Sequence, residues 1–257
     1  MSHIYSDTFF DYINQSARAS AKPFVSLLFP LLKPSSVVDL GSGRGVWMDE
    51  WRKGGADDVL AVDGDYVDRA QLAVAPEQFM AADLTQPVET GRRFDLAQSL
   101  EVGEHLPTEA SQVLVESLTR ASDRVLFSAA VTGQGGEFHV NEQPLSFWQE
   151  LFAAKGYVAY DCVRPALKDN KDIAPWYRYN AILYVNAAGR DGLPAEVIAT
   201  EVPAGQKVGN AGSLVWRLRL AVVKTLPRGA VTAIAQARAL VLALRARRAK
   251  TVGRAAV

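Results

Sequence analysis

A glycine-rich turn between an apolar strand and a helix constrains this chain more than any other feature. The β-branched run Ser36–Leu40 ends at Gly41-Ser-Gly-Arg-Gly45, and residues 46–53 have a helix-compatible pattern before a Gly54-Gly55 stop. Glycine is favoured where a backbone turns sharply or approaches a ligand closely. A first buried strand, such a turn and a helix together indicate a cofactor-binding α/β fold.

The segments that follow alternate between strand and helix patterns. Short apolar runs predict six further strands, and residues 108–121 carry apolar positions on one helical face. The predicted strands are Asp58–Asp63, Phe79–Asp83, Phe94–Leu100, Arg124–Val131, Tyr157–Val163 and Ala181–Val185. This alternation predicts a doubly wound, mostly parallel, seven-stranded sheet with helices on both faces. Ligands of such sheets bind beyond the carboxyl ends of the strands.

The spacing of the glycines and one nearby charge separate two classes of cofactor. Turns that bind dinucleotides have the pattern G-x-G-x-x-G and hold a pyrophosphate at a helix N-terminus. Here Val46 stands where the third glycine belongs, and the carboxylate of Asp39 lies two residues before Gly41. A carboxylate repels a pyrophosphate and attracts a cation. Because S-adenosylmethionine carries an ammonium and a sulfonium, we expect it to be the cofactor.

Residues 20–186 resemble the class I S-adenosylmethionine-dependent methyltransferases, which have a Rossmann-like seven-stranded sheet. Asp39-Leu-Gly-Ser-Gly-Arg-Gly45 is similar to the first motif of that family. The resemblance implies that Asp63 accepts both ribose hydroxyls. It also implies that Asp83 meets the adenine amino group and that Leu84 supplies a backbone N–H. The cofactor-binding residues implied in this way are Asp39, Gly41, Ser42, Gly43, Asp63, Gly64, Asp83, Leu84 and Ser99.

Two of the three histidines follow the fourth and fifth predicted strands, at the ligand edge of the sheet. His105 ends the sequence Glu101-Val-Gly-Glu-His105, and His139 lies in a later loop. A hydroxyl acceptor titrates far above neutrality, so its methylation needs a base, a metal ion that lowers its pKa, or both. We therefore expect His139 to be the general base and His105 and Glu101 to be further catalytic residues.

The sequence Glu101-Val-Gly-Glu-His105 has the i, i+3, i+4 spacing that gathers ligands on a helical turn. It resembles the E-x-x-E-H motif of metal-dependent O-methyltransferases. This resemblance implies a site for Mg²⁺, Mn²⁺ or Zn²⁺ made of Glu101, Glu104, His105 and His139. Two alternatives stay open. Glu104 and His105 cap the next helix and pack beneath the cofactor, or the histidines act in acid–base chemistry without a metal.

The loop around His139 indicates the acceptor. Its sequence and the later residues 161–165 and 176–180 resemble a bacterial subgroup that modifies sugars, polysaccharides and natural products. Amides and carboxylates bind hydroxyl groups, and flat rings cover the C–H faces of sugars. Candidates of these two kinds are Gln134, His139, Asn141, Glu142, Gln143, Trp148, Trp176 and Tyr177. For Trp148 we favour helix packing; for Trp176 and Tyr177, core packing and site lining are equally open.

The net charge of zero hides a division of the chain. Residues 1–201 contain 17 basic and 28 acidic side chains, a net charge of −11, whereas residues 202–257 contain 11 basic and no acidic ones. Such asymmetry indicates an anionic partner for the basic part. Three interpretations of that part stay open. It contacts a membrane surface, it docks on the acidic body or a second subunit of a homodimer, or it binds another partner or forms a disordered end.

These observations divide the chain into N-terminal helices packed against the sheet edge (residues 1–34), a methyltransferase domain (35–190), a linker (191–212) and a basic, apolar helical extension (213–257). The lone Cys162, the absence of an N-terminal secretion pattern and the lack of a long uncharged apolar stretch indicate a cytoplasmic protein, with peripheral membrane contact left open.

Three functions fit the sequence. The first is O-methylation of a sugar, glycan or glycosylated small molecule. The second is 2′-O-methylation of small RNA, which the E-x-x-E-H motif and the basic tail favour. An acidic body without basic–aromatic stripes speaks against a nucleic-acid partner. The third is a non-catalytic scaffold with a methyltransferase fold, which the intact cofactor motifs disfavour.

Overall fold

The structure is a computed structural model that describes residues 7–227 and 229–237, with side chains described from residue 17 onwards. Residues 1–6 and 238–257 therefore lie outside the described residues, and with them the last part of the predicted C-terminal extension. No helix within the described ranges is long and apolar enough to cross a membrane.

A single seven-stranded sheet forms the centre of the molecule. Its strands have the spatial order β3-β2-β1-β4-β5-β7-β6, and only β7 runs antiparallel to its neighbours. The strands are β1 (Ser36–Leu40), β2 (Asp58–Asp63), β3 (Phe79–Ala81), β4 (Leu96–Leu100), β5 (Arg124–Ser128), β6 (Val158–Tyr160) and β7 (Ile182–Val185). The predicted doubly wound sheet is confirmed. The strand order reverses between β1 and β4, which places a ligand crevice at their carboxyl ends.

Helices cover both faces of this sheet. They are α1 (Asp7–Leu32), α2 (Val46–Gly54), α3 (Ser111–Ala121), α4 (Leu145–Ala153), α5 (Val163–Leu167), α6 (Pro175–Asn180), α7 (Ala195–Ile198) and α8 (Leu214–Val223). Successive strand residues point to opposite faces. Val37 accordingly packs with α1 and α2, whereas Val38 packs with α3, α4 and α8. Residues 229–237 are helical as well.

The N-terminal region differs from the expectation of helices at the sheet edge. Its described part is one helix, α1, which packs on α2 through Ala21, Phe24 and Leu28. The ring of Phe24 meets that of Trp47 in α2 at 5.1 Å. These apolar residues recur at helical spacing, so α1 buries them best against another helix that already covers the sheet.

The segment interpreted as a linker is partly paired with the sheet. The backbone N–H of Asp161 donates to Thr200 O at 3.0 Å, and that of Val202 donates to Ala159 O at 2.9 Å. These bonds cover the outer edge of β6, where unpaired backbone groups would otherwise be exposed. The chain then enters α8, in which Trp216 and Leu220 are buried in the core of the second face. The domain boundaries themselves stay predictions.

Candidate active site

The glycine turn has the backbone geometry that its sequence requires. Gly41, Gly43 and Gly45 have φ values of 91°, 54° and 76°, in the left-handed region that favours glycine. A Cβ atom on Gly41 would overlap the side chain of Val102, so the loops after β1 and β4 approach each other closely at this point. The first cofactor motif and the E-x-x-E-H loop therefore meet at the ligand edge of the sheet.

Asp63 ends β2 beside this turn, and its two carboxylate oxygens accept three hydrogen bonds. Oδ2 accepts from Gly43 N at 2.6 Å, while Oδ1 accepts from Gly64 N at 2.7 Å and from the Tyr66 hydroxyl at 2.5 Å. Burial raises the pKa of Asp63 against the opposing effect of these donors. The two backbone donors fix the orientation of the carboxylate, and the tyrosine hydroxyl is a second donor to Oδ1.

Asp39 is a buried carboxyl group next to Asp63. Its Oδ1 atom meets no hydrogen-bond donor among the described residues. Burial raises the pKa of Asp39 to about 8; the side chain of Gln98 opposes this rise, and the nearby charge of Asp63 adds to it. A buried, unpartnered carboxyl oxygen is costly unless a ligand satisfies it. Two buried carboxyl groups make this edge suited to a cation.

The remaining cofactor candidates lie at neighbouring strand ends in different environments. Asp83 is exposed, and its Oδ1 accepts from the backbone N–H and the hydroxyl of Thr85, which lowers its pKa. Leu84 is buried beside it. Ser99 is fully buried, and its hydroxyl donates to Leu40 O at 2.7 Å. The Ser99 side chain therefore joins β4 to β1, and its predicted contact with the cofactor stays a prediction.

Glu101 directly follows β4 in a left-handed conformation, with φ 57°. Its backbone N–H donates to Ser128 O at 3.0 Å, and its carboxylate accepts from Gln134 Nε2 at 2.7 Å. Asn180 Nδ2 donates in turn to Gln134 Oε1 at 2.8 Å. A non-glycine residue in this region of φ is uncommon and often marks a functional site. Gln134 and Asn180 hold the carboxylate in place, a role that the sequence did not indicate.

Three of the four predicted metal ligands come together. Glu104, His105 and His139 each offer one ligand atom, and these atoms lie within 4.8 Å of one another. Glu101 is not part of this group, which corrects the predicted set of four. The reason is local geometry, because residues 103–105 form a 3₁₀ turn instead of an α-helical turn. The carboxylate of Glu101 is bound to Gln134 instead.

The donor atoms of this group suit a cation. Glu104 Oε2 and His105 Nδ1 have no hydrogen-bond partner within the described part of the chain. Burial and the charge of Glu101 raise the pKa of Glu104 well above its ordinary value. Burial and nearby His139 lower the pKa of His105 to about 3, so its imidazole is neutral at pH 7, as a metal ligand must be. Neither side chain caps α3, although Glu104 is buried, so the alternative of a packing role for these residues stays open.

His139 forms a pair with Glu142 in the loop after β5. Its Nδ1 atom lies 2.9 Å from Glu142 Oε1, and the Glu142 carboxylate accepts from the backbone N–H groups of Gly133 (2.8 Å) and Gly135 (2.6 Å). Although burial opposes it, these contacts lower the pKa of Glu142. The His139 ring lies over Gly136, where a Cβ atom would overlap it. A fixed carboxylate thus orients the imidazole, as in hydrolases with a histidine base.

Several candidates for binding acceptor hydroxyls have internal roles instead. Asn141 is buried and donates to Gly103 O at 3.1 Å and to Ser111 Oγ at 2.9 Å. Gln134 is also buried, against Glu101. Trp148 is buried on Phe127, which agrees with the favoured packing role. Tyr177 packs in the core, whereas Trp176 is half-buried.

Comparison with known proteins bears on the fold. No protein-family model matches the chain, and no curated protein matches it. An O-methyltransferase family protein from Burkholderia thailandensis matches with a TM-score of 0.52 and 12% identity, over 72% of this chain and 62% of that chain. Human N-acetylserotonin methyltransferase in complex with SAM gives a TM-score of 0.49 and 16% identity, over 69% and 55%. DesVI of Streptomyces venezuelae gives 0.49 and 15%, over 69% and 95%.

The match thus spans little more than half of the human protein and less than two thirds of the Burkholderia protein. Strand order, the single antiparallel strand and the glycine turn after β1 agree with this likeness. The chain has the Rossmann-like fold of the class I S-adenosylmethionine-dependent methyltransferases.

Proposed function

We propose that this chain is an S-adenosylmethionine-dependent O-methyltransferase that acts on a hydroxyl of a sugar, a glycan or a glycosylated small molecule. One observation carries the proposal: the His139–Glu142 pair lies in the loop after β5, at the same sheet edge as the glycine turn and the buried carboxyl groups of Asp39 and Asp63. The Burkholderia protein of the same fold bears the name of an O-methyltransferase family, which agrees with this function.

The cofactor half of the site has groups that fit S-adenosylmethionine. Asp63 would accept the ribose hydroxyls, and the oxygen that now accepts from the Tyr66 hydroxyl already serves as such an acceptor. The unpartnered Oδ1 of Asp39 would face the cationic part of the cofactor. Asp83 and Leu84 would meet the adenine. Gly41, Ser42, Gly43 and Gly64 would allow the backbone to lie close to the ligand.

His139 is the group that would remove the acceptor's proton. Methyl transfer is an in-line displacement, and positioning of the acceptor oxygen supplies much of its acceleration. Because Nδ1 is bound to Glu142, Nε2 is the ring nitrogen left to take the hydroxyl proton. The Glu142 carboxylate then stabilises the imidazolium that forms. Glu101 and His105 lie beside this pair and would orient the acceptor.

A divalent cation is a second component of the proposal. Glu104, His105 and His139 would hold it, and the two unpartnered donor atoms fit that role. Such an ion would lower the pKa of an acceptor hydroxyl. With Nδ1 bound to Glu142, however, Nε2 of His139 cannot be both metal ligand and proton acceptor at the same time. Dependence of activity on the cation therefore distinguishes the two roles of His139.

The acceptor follows from the surroundings of this loop. Gln143 is partly exposed in the loop that holds His139, and its amide suits a polyhydroxylated molecule. Trp176 packs half-buried against the core of the first face instead. An RNA acceptor would need local positive charge, whereas residues 1–201 carry a net charge of −11. The resemblance of the His139 loop to sugar-modifying methyltransferases adds to this preference.

The test is transfer of labelled methyl from S-adenosylmethionine to nucleotide sugars, glycans, glycosylated natural products and RNA, with and without EDTA. We expect label in a carbohydrate-containing acceptor, none with His139→Ala, and unchanged labelling with Val140→Ala, an exposed neighbour in the same loop. Label in RNA alone would contradict the sugar acceptor. Loss of activity in EDTA that Mg²⁺, Mn²⁺ or Zn²⁺ restores would assign His139 to the cation, and indifference to EDTA would assign it to the proton.

A further inference from the structure

Helix α8 has two faces of different character. Trp216 and Leu220 are buried on the body of the protein, where the Trp216 ring lies 5.7 Å from that of Tyr179. Exposed apolar side chains occupy the opposite face, and their exposed fractions are 72% for Leu214, 79% for Val215, 59% for Leu218 and 56% for Val222. At about 100° per residue, these four span an arc of about 100°, with the two buried residues outside it. We call the four side chains the outer row of α8.

Basic residues flank the outer row on both sides. Arg217 and Lys224 are exposed and fall on one border of the arc. Arg219 falls on the other border and is half-buried, with its guanidinium 5.0 Å from the centre of the Trp216 ring. From residue 202 to the end, the sequence contains 11 basic and no acidic residues. An apolar stripe between basic borders is the arrangement of helices that lie in the interface of a membrane.

We propose that the outer row of α8 and its flanking basic residues bind the surface of an anionic lipid bilayer. Headgroups would pair with the basic side chains, and the outer row would enter the boundary between headgroups and acyl chains. The acidic body of a second copy would complement the charge as well, but it would leave Leu and Val side chains against a polar surface. A bilayer satisfies both the charge and the apolar row.

The inner side of α8 lies against the loop that holds Glu142. A Cβ atom on Gly133 would overlap the backbone of Leu220, and one on Gly135 would meet Val223 and Val231 closely. Gly133 and Gly135 are the residues whose N–H groups bind the Glu142 carboxylate. A bilayer bound to α8 would therefore lie on the side of the molecule that carries the His139 loop. This inference is independent of the proposed activity.

The experiment is flotation of the full chain with vesicles of phosphatidylcholine alone or mixed with phosphatidylglycerol. We expect binding to the mixed vesicles only, and weaker binding as salt rises. The double variant Leu214→Ser, Leu218→Ser should bind the mixed vesicles at least tenfold more weakly, since two leucine side chains no longer enter the apolar part of the bilayer interface. Leu27→Ser, a change at a partly exposed leucine of α1, is the matched control and should bind as the wild type does.

Circular dichroism and cofactor affinity show whether the double variant is folded. A folded double variant that binds mixed vesicles as tightly as wild type would overturn the proposal, and so would failure of the wild type to bind them. A wild-type dimer that the double variant converts to a monomer, without vesicle binding by either, would assign the outer row to a contact between copies and would also overturn it. Arg217→Gln with Lys224→Gln should remove the preference for phosphatidylglycerol.

Discussion

Asp63 and Glu101, one acidic residue from each half of the site, are held in different ways. On the cofactor side, Asp63 is fixed by the backbone N–H groups of Gly43 and Gly64, both in turns that begin where a strand ends. On the acceptor side, Glu101 is fixed by the side chain of Gln134, 33 residues later, which itself accepts from Asn180. Backbone N–H groups of two turns fix Asp63, whereas side chains distant in the sequence fix Glu101. The halves should therefore respond differently to substitution.

Their electrostatic demands also differ. Burial raises the pKa of both Asp39 and Asp63, the charge of Asp63 raises that of Asp39 further, and a cationic ligand would favour the ionised form of both. On the acceptor side, Glu142 is already satisfied by three donors, and the pKa of His105 is low. The cofactor half thus suits a cationic ligand, whereas the acceptor half suits proton transfer.

A large effect is expected from a change that displaces His139 without removing it. Gly136→Ala places a methyl group where the His139 ring lies, so the ring must shift. A displacement of about 1 Å at a reacting group costs about 100-fold in rate. Methyl-transfer kinetics should show that loss in kcat, with unchanged affinity for S-adenosylhomocysteine.

Gly209→Ala is the control for this change, because no atom lies within 4 Å of the Cβ position there. It should retain wild-type activity. If Gly136→Ala weakened cofactor binding as much as turnover, the separation of the two halves would be wrong.

A smaller effect concerns the pH dependence of cofactor binding. The pKa of Asp39 is about 8, and a cationic ligand prefers its ionised form. Affinity for S-adenosylmethionine should therefore fall as pH decreases below 8, by up to about tenfold per pH unit. Titration calorimetry should find proton release on binding. Asp39→Asn should bind S-adenosylmethionine more weakly at pH 8, and its affinity should no longer change with pH in this range. If the affinity of Asp39→Asn still fell with pH, another group would be the one that titrates.

The smallest effect is expected at Tyr66, a residue that the sequence did not indicate. Its hydroxyl donates to the Asp63 oxygen that a ribose hydroxyl would use. Tyr66→Phe removes this competitor and keeps the ring, so affinity for S-adenosylhomocysteine should rise about fivefold, the value of one ordinary hydrogen bond. Weaker binding in this variant would mean that Tyr66 contacts the cofactor instead of being displaced by it.

The sequence predicted the cofactor half better than the acceptor half for a physical reason. Ser36–Leu40, the glycine turn and Asp63 follow from strand periodicity and backbone conformation, which are local properties. The contacts of Gln134 with Glu101 and Asn180 join residues far apart in the chain and leave no periodic signal. Asn141 looked like a ligand for hydroxyls because its buried partners, Gly103 O and Ser111 Oγ, cannot be read from composition.

The same limit applies to the E-x-x-E-H loop and the C-terminal region. Spacing alone suggested an α-helical turn with Glu101 among the ligands, but the 3₁₀ turn at residues 103–105 leaves it outside the group. The packing of α8 on Gly133 and Gly135 depends on tertiary contacts. Such contacts leave no periodic pattern in the sequence. The existence of the seven strands and of a mostly parallel sheet, by contrast, was predictable.

The most direct test of two separate halves compares Asp63→Ala with His139→Ala by calorimetry with S-adenosylhomocysteine and by methyl-transfer kinetics. Asp63→Ala should weaken binding by about 100-fold, since it removes the group that would accept hydrogen bonds from both ribose hydroxyls. His139→Ala should bind as the wild type does and lose about 10²- to 10⁴-fold in kcat. Equal loss of cofactor binding in the two variants would contradict the account.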